Sequence, residues 1–139
     1  MGWLGKLESL GVNPRVTGRF TITAGSGTDE ALVRIDVTDS AGGTKTKPIP
    51  LLVWFSLDAD GEGLAVAASG TVGAVSSSTG VVLGELTAKL AFVIMTNDEG
   101  YCQITITDSA EQAIYVCVQP LSGGDVFKSR VLTTADYNA

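Results

Sequence analysis

The chain contains no histidine. That absence removes Ser-His-Asp and Cys-His catalysis, and with them the commonest zinc ligand. Cysteine is almost as scarce. Cys102 and Cys117 lie in separate segments and form no CxxC redox or zinc motif. There is no GxxxxGK[ST] phosphate loop, and no GxGxxG follows an apolar run. Aromatic residues make up 6% of the chain, few for sugar platforms, and nothing in the sequence places a pair of carboxylates across a cleft as a glycosidase needs. Charge is low as well, at 17% of residues, where about 25% is usual. The nine lysines and arginines are scattered through a chain of net charge −6, so no clustered basic face is expected for nucleic acid. No run of about 18 uncharged apolar residues predicts a membrane-spanning helix. The opening residues lack the basic head and long apolar core of a secretory leader. Together these absences predict a non-enzymatic protein with no cofactor, no metal, and neither nucleic acid nor membrane as partner.

What remains is a β pattern. A length of 139 residues suits one domain, and such a domain buries enough surface to fold without staples. The dominant period is two, in short runs rich in Val, Ile and Thr. Clusters of Gly, Ser, Asp and Asn separate them. Seventeen glycines fit a turn-rich fold better than a helical one. Strands are predicted near Val16–Thr23, Glu30–Val37, Leu51–Leu57, Leu64–Ala68, Val81–Leu86, Lys89–Thr96, Tyr101–Thr107, Ile114–Gln119 and Val126–Thr133. Eight or nine antiparallel strands at this spacing predict an all-β, two-sheet sandwich, either immunoglobulin-like or jelly roll. The domain plan is an N-terminal arm over 1–15, the sandwich over 16–133 and a polar, extended C-terminal tail over 134–139.

Alternation puts Cys102, Ile104 and Ile106 on one face of their strand, and Ile114, Val116 and Val118 on one face of the next. A simple hairpin would pair Ile106 with Ile114, Ile104 with Val116 and Cys102 with Val118. Cys102 then points into the core and Cys117 away from it. Two free thiols are expected, as in a protein that folds in a reducing cytoplasm.

Two segments break the alternation. Leu51-Leu52-Val53-Trp54-Phe55 and Leu90-Ala91-Phe92-Val93-Ile94-Met95 are apolar on both faces. Their second face is expected beneath a terminal segment or another subunit, or else to make only the ordinary outer contacts of central strands. The low charge also suggests a surface partly covered by protein, as in a homo-oligomer or larger assembly.

The arm carries Trp3, Leu4, Leu7 and Leu10, and Trp3, Leu7 and Leu10 could share one side of a short helix. It either docks on a partner or folds back on its own sandwich. Asp58-Ala59-Asp60-Gly61-Glu62 offers alternating carboxylates beside glycine. That pattern suits either a calcium loop or, more simply, an acidic hairpin turn, since the bidentate glutamate of a full EF-hand loop is missing.

Two stretches resemble bacterial immunoglobulin-like domains. Val37-Thr38-Asp39-Ser40-Ala41-Gly42-Gly43 followed by Val53-Trp54-Phe55 resembles their opening turn and apolar strand. Thr96-Asn97-Asp98-Glu99-Gly100, then the Cys102–Thr107 and Ile114–Val118 strands, resembles their later turn, with Asn97 where an aspartate is usual. In size, acidity and Gly/Ser/Thr/Val-rich style the chain is similar to the small structural proteins of tailed bacteriophages, above all the capsid cementing (decoration) proteins. That resemblance implies a virion protein, folded in the host cytoplasm, that binds the capsid exterior and clamps neighbouring major capsid subunits, as a dimer or trimer. The residues expected at the partner interface are Trp3, Leu4, Leu7 and Leu10 in the arm, with Trp54 and Tyr115 as aromatic anchors. The alternative is an immunoglobulin-like adhesin or carbohydrate-binding module on a tail or fibre. A module of a secreted cellular protein fits less well, because no leader is read and the thiols are expected free.

Overall fold

The computed structural model describes residues 16–39, 43–44, 47–65, 72–73, 80–87, 90–121 and 123–138. The arm, with Trp3, Leu4, Leu7 and Leu10, lies outside the described residues.

Among the described residues nine strands follow one another: β1 (Val16–Ala24), β2 (Glu30–Asp39), β3 (Pro50–Ser56), β4 (Val72–Gly73), β5 (Val81–Thr87), β6 (Ala91–Met95), β7 (Tyr101–Thr107), β8 (Tyr115–Pro120) and β9 (Phe127–Lys128). They form two antiparallel sheets, ordered β1-β2-β7-β4 and β5-β6-β3-β8-β9. The chain is therefore an all-β, two-sheet sandwich, in keeping with its period-two patterning.

The strand order β1-β2-β7-β4 facing β9-β8-β3 is the same as the A-B-E-D and G-F-C order of a constant-type immunoglobulin sandwich. The hairpin β5–β6 is an addition. It enters between the fourth and fifth strands of that plan and widens the second sheet beyond β3.

Residues at alternate positions fill the space between the sheets. Ala31, Val33, Ile35 and Val37 of β2 face Leu51, Val53 and Phe55 of β3, and all seven are buried. Phe55 and Phe92 meet edge to face with centroids 5.9 Å apart, a preferred aromatic geometry. Truncating a fully buried member such as Ile35 to alanine costs about 2–5 kcal/mol, because the lost contacts leave a cavity. At one open side of the sandwich, Phe20 and Phe127 close the gap between β1 and β9 at 5.6 Å. Gly18 permits this, since a Cβ there would collide with the Phe127 ring.

Four expectations need correction. The hairpin of Tyr101–Thr107 with Ile114–Gln119 does not exist: β7 pairs with β2, and β8 pairs with β3 and β9. The faces were nevertheless right. Cys102, Ile104, Ile106, Ile114, Val116 and Val118 are all buried. Both strands point the same residues at the core, but from opposite sheets. The chain crosses between sheets at Asp108, whose buried carboxylate accepts the Ala110 and Gln112 backbone N–H groups at 3.0 and 3.1 Å. That corner stops the chain from turning straight back.

The strand expected at Leu64–Ala68 is absent at Leu64 and Ala65, and its remainder lies outside the described residues. The strand expected over Val126–Thr133 shortens to Phe127–Lys128, beyond which single bonds from Ser129 to Val116 and from Leu132 to Ile114 continue the contact.

The polar tail is not extended. Thr134–Asp136 form a 3-10 turn, Leu132 and Tyr137 are buried, and the Tyr137 hydroxyl donates to the Gln112 carbonyl at 2.8 Å. Burial, then the nearby Asp108 carboxylate, pushes the Tyr137 hydroxyl well above its ordinary pKa. Asn138 completes the seam by bonding to Asp29 and Glu30. One buried tyrosine thus pins a segment whose composition reads as polar.

Candidate functional site

Each sheet has an inner face in the core and an outer face. The outer face of β1-β2-β7 carries Thr17, Arg19, Thr21 and Thr23 from β1, Leu32, Arg34, Asp36 and Thr38 from β2, and Tyr101, Gln103, Thr105 and Thr107 from β7. It is polar apart from Leu32. On it Arg34 forks onto Asp36 at 3.0–3.2 Å and lies 3.8 Å over the Tyr101 ring. A hydroxyl-rich surface of this kind is well hydrated and gives a protein partner little to bury.

The outer face of the other sheet differs. Leu52 pairs with Val93, Trp54 with Ala91 and Pro50 with Met95. Leu52, Trp54, Val93 and Met95 are half-buried. Next to them β5 exposes Val81, Leu83 and Leu86, at 48%, 56% and 68%. These three are among only seven large apolar side chains exposed in the described residues, so they mark a concentration. Two register shifts explain it. The pairing of β5 with β6 slips between Val82 and Gly84 and again between Glu85 and Thr87, so Leu83 and Leu86 have no partner opposite them. Bulges twist an edge and re-aim its side chains, and here they turn leucines to solvent.

The two anchors expected on the sandwich share this outer face. Trp54 is not free, however. Residues 57–64 fold back over it, and its indole N–H donates to the Gly61 carbonyl at 2.9 Å. Gly61 has φ +76°, and a Cβ there would stand 3.3 Å from the Cys117 sulfur and 3.8 Å from the Trp54 ring. Tyr115 lies on the same face of β8, half-buried, in register with Ser56. The expectation that a terminal segment or a second subunit covers the outer face of β3 is thus met differently at Trp54, where the chain's own loop does so.

The cysteines face opposite ways, as alternation required. Cys102 points into the core from β7. Cys117 lies on the outer face of β8, opposite Trp54 and Lys128, and both thiols are free. The loop buries Cys117 as well, which the alternation did not indicate. Burial raises the Cys102 thiol to about 12, with Asp36 adding to it. Burial raises the Cys117 thiol to about 11, while Lys128 pulls it down. Since the thiolate is the nucleophile, neither is poised for covalent chemistry at neutral pH.

The acidic loop is knit as a turn. Asp58 Oδ1 accepts the Asp60 N–H at 2.9 Å, and the Gly61 N–H donates to the Asp58 carbonyl at 2.9 Å. Among the described residues no three Cys, Asp or Glu side chains converge to hold a metal ion. A cleft of about 360 Å³ between β1 and the segment after β9 is lined by Gly18, Arg19, Phe20, Ile22, Lys128, Ser129 and Arg130, which include no carboxylate or thiol. Among the described residues no helix is long and apolar enough to cross a membrane.

Sequence reasoning missed Val81, Leu83 and Leu86. The signal was present, because Leu83 and Leu86 are three apart and cannot share a face of a regular strand, and Glu85 is the only charge in β5. Compared with known proteins, the chain matches no family model, no curated protein and no solved structure.

Proposed function

We propose that the chain is a non-enzymatic virion structural protein that attaches to the outside of a phage capsid and clamps neighbouring major capsid subunits. The docking surface is the outer face of β5, β6 and β3. The observation that carries the reading is the concentration of exposed Val81, Leu83 and Leu86 beside half-buried Leu52, Val93 and Met95. Contiguous apolar surface of this kind marks interaction sites on otherwise polar proteins. The low charge of the chain and its likeness in size and style to cementing proteins support the capsid as the partner. A shell presents many equivalent sites, so modest affinity at each site suffices once copies are linked.

Co-sedimentation with assembled capsid shells tests this. The full chain should pellet with shells, and the Leu83→Asp, Leu86→Asp double variant should stay in the supernatant. A chain that ignores shells, or a double variant that binds unchanged, overturns the reading.

A further inference from the structure

We infer that residues 57–64 form a latched cover that opens locally while the sandwich stays folded, uncovering the Trp54 indole and the Cys117 thiol beneath it. The cover touches the body at few points. Every residue from 57 to 64 is exposed except Gly61, which is half-buried. Three hydrogen bonds tie it to β3: the Trp54 indole N–H to the Gly61 carbonyl at 2.9 Å, the Ser56 hydroxyl to the Glu62 carbonyl at 3.1 Å, and the Asp58 N–H to the Ser56 hydroxyl at 3.0 Å. The bonds of Asp58 to Asp60 and Gly61 are internal and move with the loop.

The ends of the loop do not resist opening. Leu57 and Leu64 are 52% and 44% exposed, so little apolar burial holds either end down. Gly63 has φ +73° with no atom within 4 Å of where a Cβ would sit, which leaves room for a hinge. The base is closed independently, because Ala65 N–H donates to the Phe55 carbonyl at 2.8 Å. The loop can therefore lift without moving β3 or the core. A segment held by three bonds opens at far lower cost than the whole domain unfolds.

The latch itself is specific. Gly61 adopts a positive φ that L side chains rarely take, and a Cβ there would press on the Cys117 sulfur at 3.3 Å. When the cover is closed, burial holds the Cys117 thiol near 11, so the closed form is inert to alkylation at pH 8 and labelling reports the open form. Cys102, deep in the core on β7, reports global unfolding in the same molecule.

The test is alkylation of the full chain with excess iodoacetamide at pH 8, resolved by mass spectrometry of the two cysteine peptides. It uses no shells, so its outcome is separate from that of the capsid reading. Cys117 should label at least about tenfold faster than Cys102, yet far slower than a free thiol. Trp54→Phe keeps an aromatic ring and removes the N–H. It should raise the Cys117 rate roughly fivefold, the worth of one ordinary hydrogen bond, while Cys102, which still needs global unfolding, stays at least about tenfold slower than Cys117. Gly61→Ala should raise the rate further. Equal rates at Cys117 and Cys102 in the native chain overturn the inference, because the loop then opens only with the fold. A Cys117 rate matching a free thiol overturns it from the other side, because there is then no latch. An unchanged Cys117 rate in Trp54→Phe removes the indole bond from the mechanism.

Discussion

The outer faces of the two sheets share the same pleat and alternation, yet carry opposite chemistry. On β1, β2 and β7 the outward positions hold six threonines and an Arg34–Asp36 pair stacked on Tyr101. On β5, β6 and β3 they hold leucine, valine, methionine and a tryptophan. A sheet needs only one apolar face to fold, so the polar face is the ordinary solution. The second apolar face contributes nothing to the core. It gains by burial only against something else, and for Trp54 and Cys117 that is the chain's own loop.

The contrast can be broken directly. The largest effect is expected on shell binding. Leu83→Asp with Leu86→Asp should weaken co-sedimentation by at least about 100-fold, as for residues at the centre of an interface. Because both side chains are exposed, the denaturant midpoint should move by no more than about 0.5 kcal/mol equivalent. Thr21→Asp with Thr105→Asp on the polar face should leave binding intact. Equal losses from both pairs would mean that the faces do not differ in function.

A smaller effect separates the aromatics of the two faces. Trp54→Ala removes a half-buried ring and its bond to Gly61, and should cost about 2 kcal/mol in urea unfolding. Tyr101→Ala loses a half-buried ring stacked with Arg34, and should cost about 1 kcal/mol. If the order reverses, the cover over Trp54 is not stabilising.

The smallest effect lies at the tail, away from both faces. Arg130 holds the Asp136 carboxylate at 2.7 Å and lowers it from 3.8 to about 2. A depressed carboxylate stabilises the fold above its unfolded value and loses that contribution as pH falls through its folded value. The Arg130→Ala penalty should therefore be about 0.5 kcal/mol at pH 7. It should shrink between pH 4 and 2, as read from thermal midpoints across that range. A penalty that is flat with pH would show that Arg130 acts by packing alone.

Much of the fold was legible because alternation is a local property. Each run of Val, Ile and Thr announces which side chains go inward, and Cys102, Ile104, Ile106, Val116 and Val118 went where the period sent them. Partner choice is not local. Two inner faces of a sandwich address one core, so the pattern of β7 and β8 is the same whether they pair with each other or lie in opposite sheets. Asp108 decided the matter by building a corner out of backbone N–H groups. The candidate site was half legible. The doubly apolar β3 and β6 announced an unusual outer face, whereas the exposure of Leu83 and Leu86 depends on bulges, which arise from how β5 meets β6.

By itself the sequence determined the class of the protein. The lack of histidine and the isolation of its cysteines exclude His-dependent triads and CxxC chemistry, and period-two runs between glycine-rich turns call for an antiparallel β fold that buries one face of each strand. The tertiary structure alone decided which strands are neighbours, that a polar tail is pinned by Tyr137, and that the two cysteines, on opposite faces, are both shut away. These outcomes depend on contacts between residues far apart in the chain. The energy of such contacts depends on who arrives opposite whom, and no local pattern records that.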